Sequence, residues 1–274
     1  MEMSLSFSKC CESPESSALS GRCLRGGALL IMLLCTLFFS YGLVAQSIHS
    51  AGVSIQARQF GFDAGLWVNA NRKNAELQPQ WLKNKGKWGA LMVGLLRDPR
   101  EIMVINDRLP ESKPFKINKM YHTWVIQPQV GYLIYVSDRK SRTDLGFRIK
   151  TGLSLPMAYS WPVHIWFYEP NFVSDGYSDV QYNPSVHVPN QIGGTSSWVG
   201  GFKDGSWTPG LGGQLAMEFE WGNYRFLTNS MSIGFNAIGF AKKIPNWYDV
   251  SMNRQFFPSV FATFAVGINT QKQP

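Results

Sequence analysis

Residues 259–269 read SVFATFAVGIN, and their two alternating sets decide how the chain folds. Val260, Ala262, Phe264, Val266 and Ile268 share one parity, while Ser259, Thr263, Gly267 and Asn269 share the other with Phe261 and Ala265. Successive side chains of a strand point to opposite faces, so this segment presents one wholly apolar face and one face that is largely polar or small. The pattern recurs upstream. Leu215, Met217, Phe219 and Trp221 alternate with Gln214, Ala216, Glu218 and Glu220. Phe147, Ile149, Thr151, Leu153 and Leu155 alternate with Arg148, Lys150, Gly152 and Ser154. Helical spacing of three and four residues is sustained nowhere.

Seven such runs stand out, near 52–70, 87–104, 119–137, 145–168, 210–222, 224–241 and 255–270. Most exceed the roughly five or six residues of a soluble strand and suit a bilayer, which takes about 9 to 11 tilted residues per crossing. Trp67, Trp88, Trp124, Trp161, Trp221 and Tyr224 fall near run ends, where a membrane barrel carries its aromatic girdles. The competing reading is an exported soluble β domain with its apolar face inward. Single-chain bacterial barrels have an even strand number, so seven runs require an eighth strand. The first run offers one. Its apolar parity is odd at Val53, Ile55 and Ala57 but even at Phe60, Phe62, Ala64, Leu66 and Val68. The slip around Gln59 to Gly61 marks a bulge or a break, and a break gives eight strands. The expected fold is therefore all-β: an antiparallel transmembrane β-barrel of eight strands with one long extracellular loop.

Composition agrees. Of 274 residues only 16% are charged and 14% are aromatic, which excludes a disordered chain. The apolar stretch 28–45, ALLIMLLCTLFFSYGLVA, follows Arg22 and Arg25 and precedes the polar Gln46, the layout of a secretory signal cut after Ala45. A retained signal anchor is the alternative, since 18 apolar residues just suffice to span. The expected division is thus a signal peptide with an extended basic region, 1–45, and a barrel, 46–274. Cys10, Cys11, Cys23 and Cys35 all precede the cut, so the mature chain keeps no thiol for disulfides, clusters or nucleophilic catalysis. Residues 1–45 hold equal numbers of basic and acidic side chains, so the mature chain retains the net charge of +8. An exported basic chain meets lipid head groups, acidic glycans or proteins rather than nucleic acid.

Gly222 with Asn223, and the link 138–144, read as short turns on the periplasmic side. The 41 residues of 169–209 then form an extracellular loop carrying Phe172, Tyr177, Tyr182, Trp198, Phe202 and Trp207. So many aromatics with so few charges nominate it as a partner-binding loop, the alternative being a lid packed onto the barrel mouth. Inside, Arg148 and Lys150 share one parity, and Glu218 and Glu220 share another on the strand after the loop, so these four are expected to neutralise one another in the lumen. Catalytic signals are weak. His49, His122, His164 and His187 have no partner at metal spacing, Ser154 or Ser160 near His164 is a poor hydrolase pair, and Gly193-Gly194 and Gly200-Gly201 lack a phosphate loop's lysine. No catalytic, cofactor or metal residue is assigned, and the chain reads as a non-enzyme.

The segments RDPREIMVIN (97–106), YHTWVIQPQVGY (121–132), GLSLPMAYSWPVHIWFYEP (152–170), GFNAIGFAKKIPNWYD (234–249) and NRQFF (253–257) resemble an uncharacterised family of Bacteroidetes outer-membrane β-barrel proteins. The resemblance spans about residues 50 to 268, with KKIP at 242–245 its most specific part. The polar tail 269–274 departs from it, since outer-membrane barrels commonly end on an aromatic residue. The resemblance implies location and fold and brings no catalytic residues. About 29 mature residues per strand give a barrel filled by its own side chains. The expected role is a structural or accessory subunit of an outer-membrane complex, in protein assembly or secretion, with outer-membrane lipids and other outer-membrane proteins or surface lipoproteins as partners. A small channel or transporter for a small or apolar solute is the alternative.

Overall fold

A computed structural model describes residues 47–71, 85–109, 112–137, 145–169, 176–221 and 227–269. The signal segment, Phe172, Tyr224, the 138–144 link and the Gly222-Asn223 turn lie outside them. The strands are β1 (Ser47–Arg58), β2 (Gly61–Asn71), β3 (Lys85–Leu95), the short β4 (Met103–Val104) and β5 (Phe115–Lys116), β6 (Tyr121–Ser137), β7 (Gly146–Ser154), β8 (Met157–Pro162), β9 (His164–Tyr168), β10 (Tyr177–Gln181), β11 (Ile192–Thr195), β12 (Ser206–Trp221), β13 (Leu227–Phe240) and β14 (Phe256–Asn269).

The antiparallel sheet runs β1-β2-β3-β6-β7-β12-β13-β14 and closes on itself, because β14 pairs with β1 from Ser50↔Asn269 to Arg58↔Phe261. This is a closed eight-stranded barrel, and closure leaves no sheet edge unpaired. The parity slip is a break: Arg58 pairs with Gly61, so Gln59 and Phe60 alone turn the chain between β1 and β2. Gly61 there has φ 138°, a value that L side chains rarely adopt.

Burial is inverted relative to a soluble domain. Leu153 is 65% exposed while Ser154 beside it is 4% exposed. Val53, Ile55, Phe62, Leu66, Leu91, Leu215, Met217, Ile233, Val260, Phe264 and Ile268 all face outward. Ser54, Gln56, Asp63, Gln127, Gln129, Arg148, Glu218, Ser232, Asn236 and Thr263 are buried in the interior. A barrel with an apolar outside and a polar inside is built for a bilayer, where lipid rather than water meets the apolar face. The soluble sandwich, which requires the opposite, is excluded.

Two runs are divided differently from the expectation. The run 87–104 stops as a barrel strand at Leu95, because Asp98-Pro99 turns the chain and Met103 and Val104 belong to a separate hairpin with β5. The run 145–168 divides into β7, β8 and β9. β7 and β8 are one wall strand: Gln129↔Ser154 and Ile126↔Met157 keep one register against β6, as Ser154↔Gly212 and Met157↔Pro209 do against β12. The ladder thins between them because Pro128 and Pro156 lack N–H groups. Leu155 N still donates to Pro128 O (3.1 Å) and Gly210 N to Pro156 O (2.7 Å), but the reciprocal bonds cannot form. β9 leaves the barrel and joins β10 and β11 in a small sheet inside the long loop.

Trp67 and Trp88 are not girdle residues. Their parity sends them into the lumen, where they cluster with Ala90, Met92, Leu133 and Ala265. Each indole donates to a backbone carbonyl, Trp67 to Val53 (3.2 Å) and Trp88 to Thr151 (3.0 Å), which is what lets Trp be buried. Trp124, Trp161 and Trp221 do share the outward parity of their strands.

Candidate functional site

Both chain ends of the barrel, the start of β1 and the finish of β14, lie at one end, so the β3–β6, β8–β12 and β13–β14 connections and the Gln59-Phe60 turn lie at the other, the loop end. Two places there and in the lumen carry chemistry.

The lumen charges sit toward the terminal end. β7 and β12 pair with Arg148 opposite Glu218. Arg148 contacts Glu218 at 3.4 Å and forms a second ion pair with Glu220, while Lys150 Nζ lies 3.7 Å from Glu218. The four named charges therefore meet in one interior cluster. Aromatics complete it: the Arg148 guanidinium lies 4.8 Å from the Tyr135 ring centroid, and Lys150 Nζ 4.0 Å from that of Trp88. Trp88 fits because β7 carries glycine at 152, where a Cβ would come within 2.6 Å of its Cζ2. Between these charges and Gln56, Gln129, Gln214 and Ser232 remains a small polar cavity.

Toward the loop end a cluster of buried apolar side chains occupies the lumen. Val125, Ala158, Ile238, Phe240 and Phe257 point inward from the wall, and Phe60, Leu96 and Ile244 fold in from the connections. Phe60 and Phe257 meet edge to face at 5.6 Å.

The connections form a folded platform over this cluster. In the β3–β6 connection the Asp98 carboxylate accepts from Arg100 (2.7 and 2.9 Å) and from the Trp247 indole of the β13–β14 connection (3.3 Å). Burial raises the pKa of this carboxyl, but those hydrogen bonds outweigh it and hold it at about 2. Glu101 pairs with both Lys116 and Lys119, and burial, partly offset by Glu101, takes the Lys119 ammonium down to about 8.

The long loop has its own core of Val163, Ile165, Phe167, Tyr182 and Ile192, which packs on Phe115 of the β3–β6 connection. The six loop aromatics therefore divide. Tyr182 is 2% exposed and belongs to this core; its hydroxyl accepts from the Asn118 N–H (3.3 Å). Trp198, Phe202 and Trp207 pack on the outer wall of the barrel with Trp124, Tyr159 and Trp161. Trp161 donates to Trp198 O (2.7 Å) and Tyr159 to Phe202 O. Tyr177 lies on exposed β10 against Tyr168, and Phe172 lies outside the described residues. Also exposed at the loop end are the apolar side chains Ile102, Met103, Ile105, Val186, Val188 and Val250, which the sequence reading did not single out. Asn106 Nδ2 donates to Asn190 O (2.8 Å) and Ile192 O (3.2 Å), which ties the β3–β6 connection to the long loop. The signal was present in the IMVI run at 102–105, where Val104 turns inward beside Phe115 and its neighbours cannot.

The hydrolase pairing does not assemble. Ser160 Oγ bonds Thr123 Oγ1 (2.9 Å), Ser154 accepts from Gln127 (2.9 Å), and His164 faces Asp179 (3.2 Å). His122 packs at a tilt against Trp161, and His187 against Phe167. Among the described residues no group of three or more His, Cys, Asp or Glu is arranged to hold a metal.

No protein-family description matches the chain, and no curated protein matches it. Among solved structures it is similar to Neisserial surface protein A, at 9% identity and a TM-score of 0.35, over 81% of this chain and 96% of that one. The barrel assignment rests on the strand pairing and inverted burial above.

Proposed function

We propose that this chain is a non-enzymatic, non-conducting barrel of the bacterial outer membrane that holds a folded platform at the cell surface for other outer-membrane proteins or surface lipoproteins, as an accessory subunit of their complex. The observation that carries the reading is the double closure of the lumen, by the Arg148-Glu218-Lys150 cluster with Trp88 at one level and the Phe60-Phe257 plug at another. A pore needs a continuous wet path, and this barrel invests its interior in side chains. Its elaboration lies outside, where the loops form a small core of their own and leave Ile102, Met103, Ile105, Val186 and Val188 exposed beyond the wall. Exposed apolar groups on a rigid, polar-rimmed support are typical of protein docking.

The test has two arms. In planar bilayers the purified full chain is expected to show no unitary conductance; channels from the unaltered protein would overturn the non-conducting role. In detergent extracts, Ile105→Ser with Val188→Ser is expected to lose the partners that copurify with the wild type while the barrel remains heat-modifiable on a gel. Retention of every partner would remove the platform reading.

A further inference from the structure

Every strand of the barrel wall has two neighbours, but the small sheet in the long loop keeps one open edge. Its order is β10-β9-β11. On the β11 side the edge is covered by the β3–β6 connection, where Lys113 N donates to Gly193 O (2.8 Å) and Thr195 Oγ1 to Pro114 O (3.3 Å). On the β10 side, among the described residues, no strand other than β9 pairs with Tyr177–Gln181.

The register decides which backbone groups point outward. Tyr182 N donates to Val163 O (2.8 Å) and Glu169 N to Gly176 O (3.1 Å), so in this antiparallel pair the even-numbered residues of β10 bond to β9. Ser178 and Val180 are therefore satisfied by Phe167 and Ile165. Tyr177, Asp179 and Gln181 turn three N–H and three C=O groups away from the sheet, and they are the three exposed residues of the strand. Native edges are commonly blocked by a lysine, a proline or a bulge. YSDVQ holds neither lysine nor proline, and its pairing with β9 runs without a register shift.

The side chains define what a strand added there must carry. On one face Val180 packs on the loop core with Ile165 and Phe167, so apolar residues opposite Ser178 and Val180 would extend that core. On the other face the Asp179 side chain is 40% exposed beside His164, so the residue opposite it is best matched by a cation. A second copy of this chain does not meet that demand, because fully overlapped antiparallel pairing of two β10 strands sets Asp179 against Asp179.

We propose that the open edge of β10 binds an extended segment of a partner protein as an added strand, with a basic side chain opposite Asp179 and apolar side chains opposite Ser178 and Val180. The inference rests on the platform reading above and gives it a mode of recognition.

The experiment uses the full chain in phosphatidylcholine nanodiscs and hydrogen exchange resolved to single amides. The probe is the synthetic peptide acetyl-Thr-Val-Lys-Val-Thr-amide at millimolar concentration, and its control has Glu in place of the central Lys. With the Lys probe, exchange at Tyr177, Asp179 and Gln181 is expected to slow at least about tenfold, while Ser178 and Val180, already bonded to β9, change little. The Glu probe is expected to need about fivefold more peptide for the same effect. Asp179→Lys is expected to reverse that preference. Asp179→Pro, which removes an outward N–H and no bond to β9, is expected to abolish the slowing at Tyr177 and Gln181 while Ser178 and Val180 stay protected. Should the proline unfold the strand, the reversal in Asp179→Lys decides alone. No slowing at millimolar probe, equal slowing by both probes, or slowing without probe that grows with protein concentration overturns the proposal, the last because a second copy then covers the edge. The platform reading fails separately: it falls if Ile105→Ser with Val188→Ser keeps every partner, whatever the probe does.

Discussion

Glu218 faces two cations at once inside the barrel, and its removal is more costly than an ordinary surface substitution. Glu218→Gln leaves Lys150 without its carboxylate in the water-poor lumen, while Arg148 keeps Glu220. Breaking a buried pair costs about 3 kcal/mol, so the urea midpoint of the detergent-solubilised variant is expected to fall clearly. Replacing both partners, Lys150→Met with Glu218→Met, is expected to recover most of that loss. A second prediction concerns Gly152. A Cβ there would lie 2.6 Å from Trp88 Cζ2 and 2.7 Å from the Val130 carbonyl oxygen, so Gly152→Ala must displace an indole or a strand. The expected cost is about 1–3 kcal/mol, read from the same unfolding curves. Alternation in the sequence was sufficient to place Arg148, Lys150, Glu218 and Glu220 on the polar faces of their strands, because parity is a property of the backbone. The same parity, set against Leu66 and Val68 for Trp67 and against Leu91 for Trp88, also points both indoles inward; nearness to a strand end, which suits an interfacial girdle or a filled lumen equally well, was the misleading signal.

Among the elements, the β7–β8 strand and the loop clamp show where local chemistry overrides pattern. The sequence presents 145–168 as one run because apolar alternation continues through Leu155 and Met157 across the proline. Pro156→Ala would restore a donor facing Gly210 O. Amide exchange at Leu155 and Gly210 is expected to slow, with a stabilisation of about 1 kcal/mol; unchanged exchange would mean the proline is not what thins the ladder. The clamp between the β3–β6 and β13–β14 connections depends on the Asp98 carboxylate. Its folded pKa, about 2, lies below the ordinary carboxyl value of 3.8, so its contribution is full above pH 4 and is lost as the pH falls toward 2. Limited proteolysis with an acid-active protease is expected to cut near Trp247 increasingly across that window, and Asp98→Asn is expected to be cut at neutral pH. These contacts were not legible in the sequence. They join residues 149 positions apart, and no period or motif records which two loops will meet. The parity slip at Gln59, by contrast, was legible because a tight turn leaves the alternation intact on both sides.

For the whole molecule, the proposed non-conducting role places closures at two heights in the lumen, so that neither alone would control permeation. Phe257→Ala with Ile244→Ala removes part of the upper plug but leaves Trp88 and the ion pairs below. Such a barrel is expected to stay silent in a planar bilayer. Adding Trp88→Ala with Lys150→Ala is expected to admit ions; conductance from the upper pair alone would show that the lower closure leaks.

The seam between β14 and β1 sets the order of events in biogenesis. It joins Ser50 to Asn269, so the last strand is needed to satisfy the first. Before β14 arrives, the sheet has two raw edges whose N–H and C=O groups find no water in the hydrocarbon. A chain stalled before Phe256 therefore has no stable inserted form, however complete its other hairpins. Both edges therefore stay unsatisfied in hydrocarbon until the final strand pairs.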